Sequence, residues 1–102
     1  MHKILLILTL FFLPSALADW HSGTIDIIAI GYDGKTIAIS QLNSTRNNCT
    51  CYPTWPNRYC LDRSRDSFKE EYALILSAKA RNKSLNININ ETSCKVIAIY
   101  EN

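Results

Sequence analysis

The segment from Tyr52 to Tyr59 contains the side chains best suited to recognising a ligand. Aromatic rings can stack on the C–H faces of sugars, while amide and guanidinium groups donate directed hydrogen bonds to hydroxyls. The candidate ligand-binding residues are Tyr52, Trp55, Asn57, Arg58 and Tyr59. The alternative interpretation is that Trp55 and Tyr59 fill one end of a small core, because tryptophan is highly buried on average.

The chain has four cysteines, Cys49, Cys51, Cys60 and Cys94, and all of them follow the predicted signal peptide. An even number in a short exported chain predicts two disulfides, and three pairings are possible. We favour a bond from Cys94 to either Cys49 or Cys51, because a crosslink that closes a long loop stabilises most in the chain-entropy argument. Cys60 then takes the remaining cysteine. A zinc site is the alternative, but Cys-x-Cys is not the usual Cys-x-x-Cys spacing.

The first 18 residues have the pattern of a secretory signal peptide. A charged start and an apolar run from Ile4 to Leu13 precede small residues that predict cleavage after Ala18. The apolar run is too short to span a bilayer and Pro14 interrupts it, so no membrane anchor is expected. The sequence therefore predicts a single domain over residues 19–102 that is secreted or periplasmic.

Single-stranded nucleic acid is a second ligand that aromatic side chains can bind, but it also needs a basic groove. The arginines that could supply this groove are Arg46, Arg58, Arg63 and Arg65. The formal net charge of the chain is only +2, and loss of Lys3 with the signal peptide lowers it to +1. A nearly neutral chain attracts polyanions weakly, so nucleic acid is not the expected partner.

The remaining polar residues do not indicate catalysis. His21 has no serine or cysteine nucleophile in a recognisable motif, and we interpret it as a flexible residue near the mature N-terminus. The carboxylates around the predicted helix start are Asp62, Asp66, Glu70 and Glu71. Helix capping and compensation of the helix dipole are sufficient roles for them. We predict a protein that is not an enzyme and that needs no cofactor or metal.

The elements that must position these side chains begin with one convincing helix after Asp66. Ser67 followed by Glu70 predicts a capping box, in which each side chain bonds a free backbone amide of the first turn. The apolar face of this helix is formed by Phe68, Tyr72, Ile75 and Leu76. The period then changes to two, which predicts a strand with one apolar face. Its apolar residues are Leu85, Ile87 and Ile89.

Four further strands are predicted, over Thr24–Ile30, Thr36–Leu42, Arg58–Asp62 and Cys94–Tyr100. The first two should form a hairpin, because Asp33-Gly34 is a two-residue turn signal whose positions both tolerate positive φ. On the first strand, one face is Ile25, Ile27 and Ala29, and the other is Asp26, Ile28 and Ile30. The segment Asn43–Asn57 shows no hydrophobic period and is predicted to be a loop held by disulfides.

The predicted order is strand, strand, strand, helix, strand, strand. A mainly β domain with one helix in this order (β-β-β-α-β-β) is typical of the OB-fold, a small five-stranded, partly open barrel. Closing the barrel would cover strand edges that Ile-rich strands otherwise expose. The alternative is an open antiparallel sheet with one helix packed on it.

Short segments of the chain carry a family resemblance. They are Ser67-Phe68 at the helix start, Leu76 to Ala80 within the helix, and Asn82-Lys83-Ser84 before the next strand. In these segments the chain resembles the OB-fold B subunits of bacterial toxins, of the subtilase cytotoxin and the typhoid and pertussis-like group. With Arg58-Tyr59 and Cys94, it is also similar to small exported bacterial OB-fold proteins of unknown role.

The resemblance implies a secreted, toxin B-subunit-like binding module that recognises a glycan or glycoprotein receptor. It also implies a homo-oligomer, a pentamer, that accompanies an enzymatic partner chain. The toxin subunits are longer and place their cysteines differently, and none of their sugar-contacting residues is matched here.

A stand-alone exported OB-fold protein that acts through protein–protein contacts is the alternative function. The first strand carries isoleucine on both faces, and a neighbouring subunit could cover the face that the helix does not. Closure of the sheet within one chain could equally cover both faces.

Overall fold

The computed structural model describes residues 18–42 and 49–102 of the chain. The predicted signal peptide up to residue 17 lies outside the described residues. So does the first part of the predicted loop Asn43–Asn57, including Arg46.

The described part of the chain is mainly β, with five antiparallel strands in one sheet and one helix. The elements in chain order are β1 (Ala18–Ile30), β2 (Thr36–Gln41), β3 (Tyr59–Asp62), α1 (Phe68–Arg81), β4 (Ser84–Asn90) and β5 (Val96–Tyr100). This confirms the prediction of a mainly β domain with one helix. Strand β1 begins at Ala18 rather than at the predicted Thr24, because its first half pairs with β4 even though it lacks hydrophobic alternation.

The sheet has the strand order β3-β2-β1-β4-β5, which is not the order of the strands along the chain. Strand β1 serves both halves: residues 18–24 pair with β4 and residues 25–30 pair with β2. The two outer strands approach each other through a parallel bridge between Cys60 and Lys95. There the Cys60 N–H donates to the Cys94 carbonyl at 3.0 Å.

Gln41, the last residue of β2, lies where β1 changes its pairing partner from β4 to β2. Its side-chain Nε2 lies 3.2 Å from the carbonyl oxygens of His21 and Gly23, and 3.1 Å from that of Leu85. Buried carbonyls need a hydrogen-bond donor, and the strand ladder supplies fewer of them at such a junction. The buried amide of Gln41 therefore substitutes for a backbone donor.

Because of a β-bulge, the two faces of β1 differ from the predicted ones. Ile25 is opposite Gln41 and Ile27 is opposite Ser40, so Asp26 has no partner in β2. The extra residue reverses the alternation. Ile25 and Ile28 consequently pack toward the core, whereas Ile27 is 38% exposed. The predicted continuous face of Ile25, Ile27 and Ala29 was therefore wrong.

The core lies between the inner face of the sheet and α1. Its fully buried aliphatic side chains are Ile37, Ile39, Leu61, Ile75, Leu85, Ile87 and Ile89. The predicted apolar face of β4 is thereby confirmed, because all three of its members are in this set. Burial of this kind contributes about 25 cal/mol per Å² of apolar surface removed from water.

The predicted capping box is wrong. Ser67 precedes the first helical residue, but its φ of −95° and ψ of 18° are not extended and its side chain makes no capping bond. Arg65 instead binds Glu71, with Nε to Oε1 and Nη2 to Oε2 both at 2.8 Å. This pair holds the segment before the helix against its first turn.

The buried face of α1 also differs from the predicted one. Its buried residues are Phe68, Glu71, Ile75 and Ala78. Tyr72 is half-buried and Leu76 is 44% exposed. The helix ends at Asn82, whose φ of 53° is left-handed, and the Lys83 N–H donates to the Ala78 carbonyl at 2.9 Å. That bond closes the last turn in the manner of a Schellman motif.

The hairpin between β1 and β2 is confirmed, but its turn is longer than predicted. Five residues, Gly31–Lys35, connect the strands, and of Asp33 and Gly34 only Gly34 has a positive φ, of 69°. The Asp33 carboxylate accepts from the backbone N–H of Lys35 at 2.9 Å and of Thr36 at 3.1 Å. The aspartate thus stabilises the connection with its side chain rather than through a left-handed backbone.

Two disulfides join Cys49 to Cys94 and Cys51 to Cys60. The first is one of the two bonds predicted for Cys94, and Cys60 takes the remaining partner. No cysteine is left as a free thiol for a zinc site. Disulfides of this kind indicate an oxidising compartment, extracellular or periplasmic.

The two disulfides should contribute unequally to stability. Their sequence separations are 45 residues for Cys49–Cys94 and 9 for Cys51–Cys60. The chain-entropy argument gives about 4 kcal/mol for the longer loop and about 2.6 kcal/mol for the shorter. Urea unfolding of the two double cysteine-to-serine variants measures both losses. Equal losses, or the reverse order, would contradict the assignment of the stabilisation to loop closure.

Candidate functional site

Three aromatic rings lie together at one end of the domain and form the aromatic cluster, which consists of Tyr32, Tyr52 and Trp55. The Trp55 ring lies between the other two. Its centroid is 5.6 Å from that of Tyr32 and 5.3 Å from that of Tyr52, with interplanar angles of 33° and 34°. Such offset, tilted rings are a favourable arrangement for aromatic pairs.

The cluster joins two separate segments of the chain. Tyr32 belongs to the β1–β2 connection, while Tyr52 and Trp55 belong to the segment between the disulfide-bonded Cys51 and Cys60. The Tyr52 hydroxyl accepts a hydrogen bond from the Tyr32 backbone N–H. Within the second segment, the Trp55 N–H donates to the Tyr52 carbonyl at 3.0 Å, which places both rings on one tight turn.

Gly31 makes the contact between the two segments possible. A Cβ atom at this position would lie 2.6 Å from Cε1 and 2.8 Å from Cζ of the Tyr52 ring. These distances are far inside van der Waals contact, so the ring rests directly on the glycine backbone. The absence of a side chain at Gly31 therefore sets the position of Tyr52.

The predicted site residues divide into three groups. Tyr52 and Trp55 are half-buried and belong to the aromatic cluster. Asn57 is exposed and Arg58 is half-buried next to them in the chain, with Arg58 Nη1 3.4 Å from the Pro56 carbonyl. Tyr59 is 1% exposed and lies in the core, which favours the alternative interpretation for this residue.

Arg58 has a feature that sequence inspection could not supply. Its Nε is buried and has no hydrogen-bond partner among the described residues. A buried unsatisfied donor costs free energy, which a buried water molecule would offset.

Tyr32 is the site residue that the sequence analysis missed. It is 82% exposed, far more than the other members of the aromatic cluster. An aromatic residue directly before the Asp-Gly of a hairpin connection was the signal that could have identified it, since such a position has little interior to bury a ring.

The charge near the aromatic cluster is negative as well as positive. Hydrogen bonds from the backbone of Lys35, and then of Thr36, hold the pKa of the Asp33 carboxyl below its ordinary value. Hydrogen bonds from Ser64 lower the pKa of Asp62, and the charge of Asp33 partly opposes this shift. Two ionised carboxylates therefore lie near the hairpin connection at neutral pH.

His21 is not the flexible terminal residue that we predicted. It lies within β1 opposite Ile87, and its Nε2 is 2.9 Å from Oε2 of Glu91. Its ring also packs against the buried Tyr59 ring, with centroids 5.7 Å apart. The prediction was wrong because β1 pairs with β4 from its first described residue, which places His21 inside the sheet.

Among the residues that the structure describes, no helix has the length and apolar character needed to cross a bilayer.

Comparison of the chain with protein-family models, with curated proteins and with solved structures gives no match. The resemblance to toxin B subunits stays a prediction from the sequence.

Replacing Gly31 by alanine should displace the Tyr52 ring and change the near-ultraviolet circular dichroism of the aromatic cluster. The matched control is Gly34→Ala, whose added Cβ has no atom within 4 Å but whose φ of 69° is strained for alanine. The control should lose roughly 1 kcal/mol of stability while keeping the aromatic signal. An unchanged signal in Gly31→Ala would contradict the role given to this glycine.

Proposed function

We propose that this chain is an exported, non-enzymatic binding module that recognises a glycan through the aromatic cluster. The observation that carries the proposal is the group of tilted, contacting rings of Tyr32, Trp55 and Tyr52 at one end of the domain, with centroid distances of 5.6 and 5.3 Å. Sugar C–H faces stack on such rings, and the guanidinium of Arg58, three residues after Trp55 in the chain, is a donor suited to hydroxyl groups.

The proposal includes an OB-fold. The parallel bridge between Cys60 and Lys95 brings the two outer strands of the sheet together, as closure of a five-stranded barrel requires. In OB-folds, the connections between strands one and two and between strands four and five border the ligand-binding face. Tyr32 lies in the first of these connections, which supports the assignment of the aromatic cluster as the binding site.

A glycan fits the cluster better than single-stranded nucleic acid. Nucleic acid would place a phosphate backbone close to the rings, and the carboxylates of Asp33 and Asp62 would repel it. The formal net charge of the whole chain is only +2, so no strong attraction for a polyanion offsets this repulsion. The carboxylates do not repel the neutral hydroxyl groups of a glycan in this way.

The toxin B-subunit role is a further part of the proposal. In that role the domain forms a homo-pentamer, binds a glycoprotein receptor and carries an enzymatic partner chain. Exposed apolar side chains support an assembly surface: Trp20 and Tyr100 are each 46% exposed and contact each other edge to face, with centroids 5.0 Å apart. The same pair supports the second candidate function, protein–protein contact by a stand-alone exported domain.

Trp55→Ala should weaken glycan binding roughly tenfold or more without unfolding the domain, because it removes the central ring of the aromatic cluster. Binding to a panel of immobilised oligosaccharides measures this effect. The matched control is Leu76→Ala, which removes a 44% exposed apolar side chain on α1, outside the aromatic cluster and the Trp20–Tyr100 pair, and should bind as the unaltered protein does. Equal binding by the Trp55 variant, or no binding by the unaltered chain, would reject glycan recognition by this site. Loss of the fold would identify Trp55 as a core residue.

The native mass of the oxidised protein tests the assembly. Light scattering should give about five times the mass of one chain if the domain forms the ring expected for a toxin B subunit. The Trp20→Ala and Tyr100→Ala variants should then shift toward smaller species, because both side chains are exposed in the single chain. A monomeric unaltered protein would reject the ring and favour the stand-alone function.

A further inference from the structure

Three metal-ligating side chains meet at the other end of β1. They belong to Asp19, His21 and Glu91, and one ligand atom of each lies within 4.8 Å of the others. His21 Nε2 and Glu91 Oε2 are the closest pair, at 2.9 Å. The aromatic cluster and its proposed ligand do not involve these residues.

Strand pairing brings the three side chains together. Asp19 and His21 are two residues apart on β1, so both project from the same face of the strand. Their partners on β4 are Ile89 and Ile87, whose side chains are buried on that face. Glu91 follows directly after β4 and therefore reaches the same end of the sheet.

The ring of His21 and the backbone that carries Glu91 are both held in place by their surroundings. The His21 ring packs against the buried Tyr59 ring, with centroids 5.7 Å apart. Glu91 begins a turn in which Asn90 Oδ1 accepts from the backbone N–H of Thr92 at 2.9 Å and of Ser93 at 3.1 Å. Restricted side chains lose less entropy when an ion binds them.

Small side-chain movements would bring the ligand atoms to the spacing that a small divalent ion requires. Two atoms that are each about 2.1 Å from one ion lie about 3.0 to 3.4 Å apart for angles between square and tetrahedral. The His21–Glu91 distance of 2.9 Å is that of a direct hydrogen bond and lies just below this range, so an ion that binds here replaces the proton between the two atoms and separates them slightly. The exposed Asp19 carboxylate must move closer to make a third contact, because the ligand atoms lie only within 4.8 Å of one another and two atoms bound to one ion at about 2.1 Å lie at most about 4.2 Å apart. One imidazole with two carboxylates is a donor set that suits Zn²⁺ and its neighbours in the first transition row.

We propose that Asp19, His21 and Glu91 form a binding site for one divalent transition-metal ion of the Zn²⁺ class. His21 coordinates through Nε2 in its neutral form, and each carboxylate contributes an oxygen. The ion joins the start of β1 to the β4–β5 turn, so it stabilises the folded chain as well as occupying the site.

The predicted cleavage after Ala18 creates a competing way to bind metal. His21 would become the third residue, and an α-amine, two backbone amides and a third-position imidazole can together chelate Cu²⁺ or Ni²⁺ in a square-planar arrangement. That chelate does not use Glu91 and requires the end of β1 to leave the sheet. Zn²⁺ has no preference for square-planar geometry and does not need deprotonated amides, so it is the probe that reports on the side-chain site.

The experiment is Zn²⁺ titration by calorimetry, together with thermal unfolding, on the full chain produced in an exporting host and purified oxidised. The unaltered protein should bind one Zn²⁺ and unfold at a higher temperature with it. Glu91→Gln keeps the size of the side chain but removes its charge, and should weaken Zn²⁺ binding roughly tenfold or more. The control is Glu70→Gln, an exposed carboxylate on α1, which should leave the affinity unchanged.

A second variant, Asp19→Asn, should weaken binding in the same direction and leaves the buried contacts of the domain intact. Absence of Zn²⁺ binding by the unaltered protein would overturn the proposal. Equal affinity of the unaltered protein and the Glu91→Gln variant would also overturn it, because the ion would then bind without Glu91.

Discussion

The buried disulfide between Cys49 and Cys94 is the constraint on which the rest of the structure depends. The Cys94 carbonyl accepts from the Cys60 N–H at 3.0 Å, and the Cys94 N–H donates to the Asn90 carbonyl at 2.6 Å. One residue therefore fixes the junction of β3 with β5 and the turn after β4. Its φ of 59° lies in the left-handed region, which a non-glycine residue occupies only when its surroundings hold it there.

The open edges of strands are a second constraint in a small sheet, because their backbone N–H and C=O groups have no partners. The sheet limits these open edges by sharing one long strand between its two halves. Strand β1 does so by pairing with β4 over its first half and with β2 over its second. Where β1 changes its partner, some backbone carbonyls receive no hydrogen bond from a neighbouring strand. The side-chain amide of Gln41 donates to two of them, those of Gly23 and Leu85. The bulge at Asp26 lies just beyond this point and turns Ile28 toward the core. A buried polar side chain and an irregular residue thus make the change of partner possible.

Local patterns in the sequence predicted the parts of the fold that local forces determine. The alternation in β4 and the pairing of Cys94 came from period and loop length, and both were confirmed. The capping box was wrong: Ser67 has a φ of −95° and a ψ of 18° instead of the extended backbone of a capping residue, and its side chain makes no capping bond. The contacts that build the two candidate sites were beyond local patterns: Tyr32 and Tyr52 are 20 residues apart in sequence, and His21 and Glu91 are 70 apart. Strand pairing brings His21 close to Glu91, and packing of the Tyr52 ring on Gly31 brings Tyr52 to Tyr32.

Each candidate site lies partly on a connection that a disulfide fastens to the sheet. Tyr52 and Trp55 lie between Cys51 and Cys60, and Glu91 lies in the turn that Cys94 closes. Connections of this kind are usually the most mobile parts of a domain, and a ligand must then bear the entropy of ordering them. The crosslinks remove most of that cost during folding, before any ligand arrives. The same two bonds that stabilise a core of this size therefore also preorganise its binding surfaces, so reduction of the disulfides would weaken recognition even where the sheet survived.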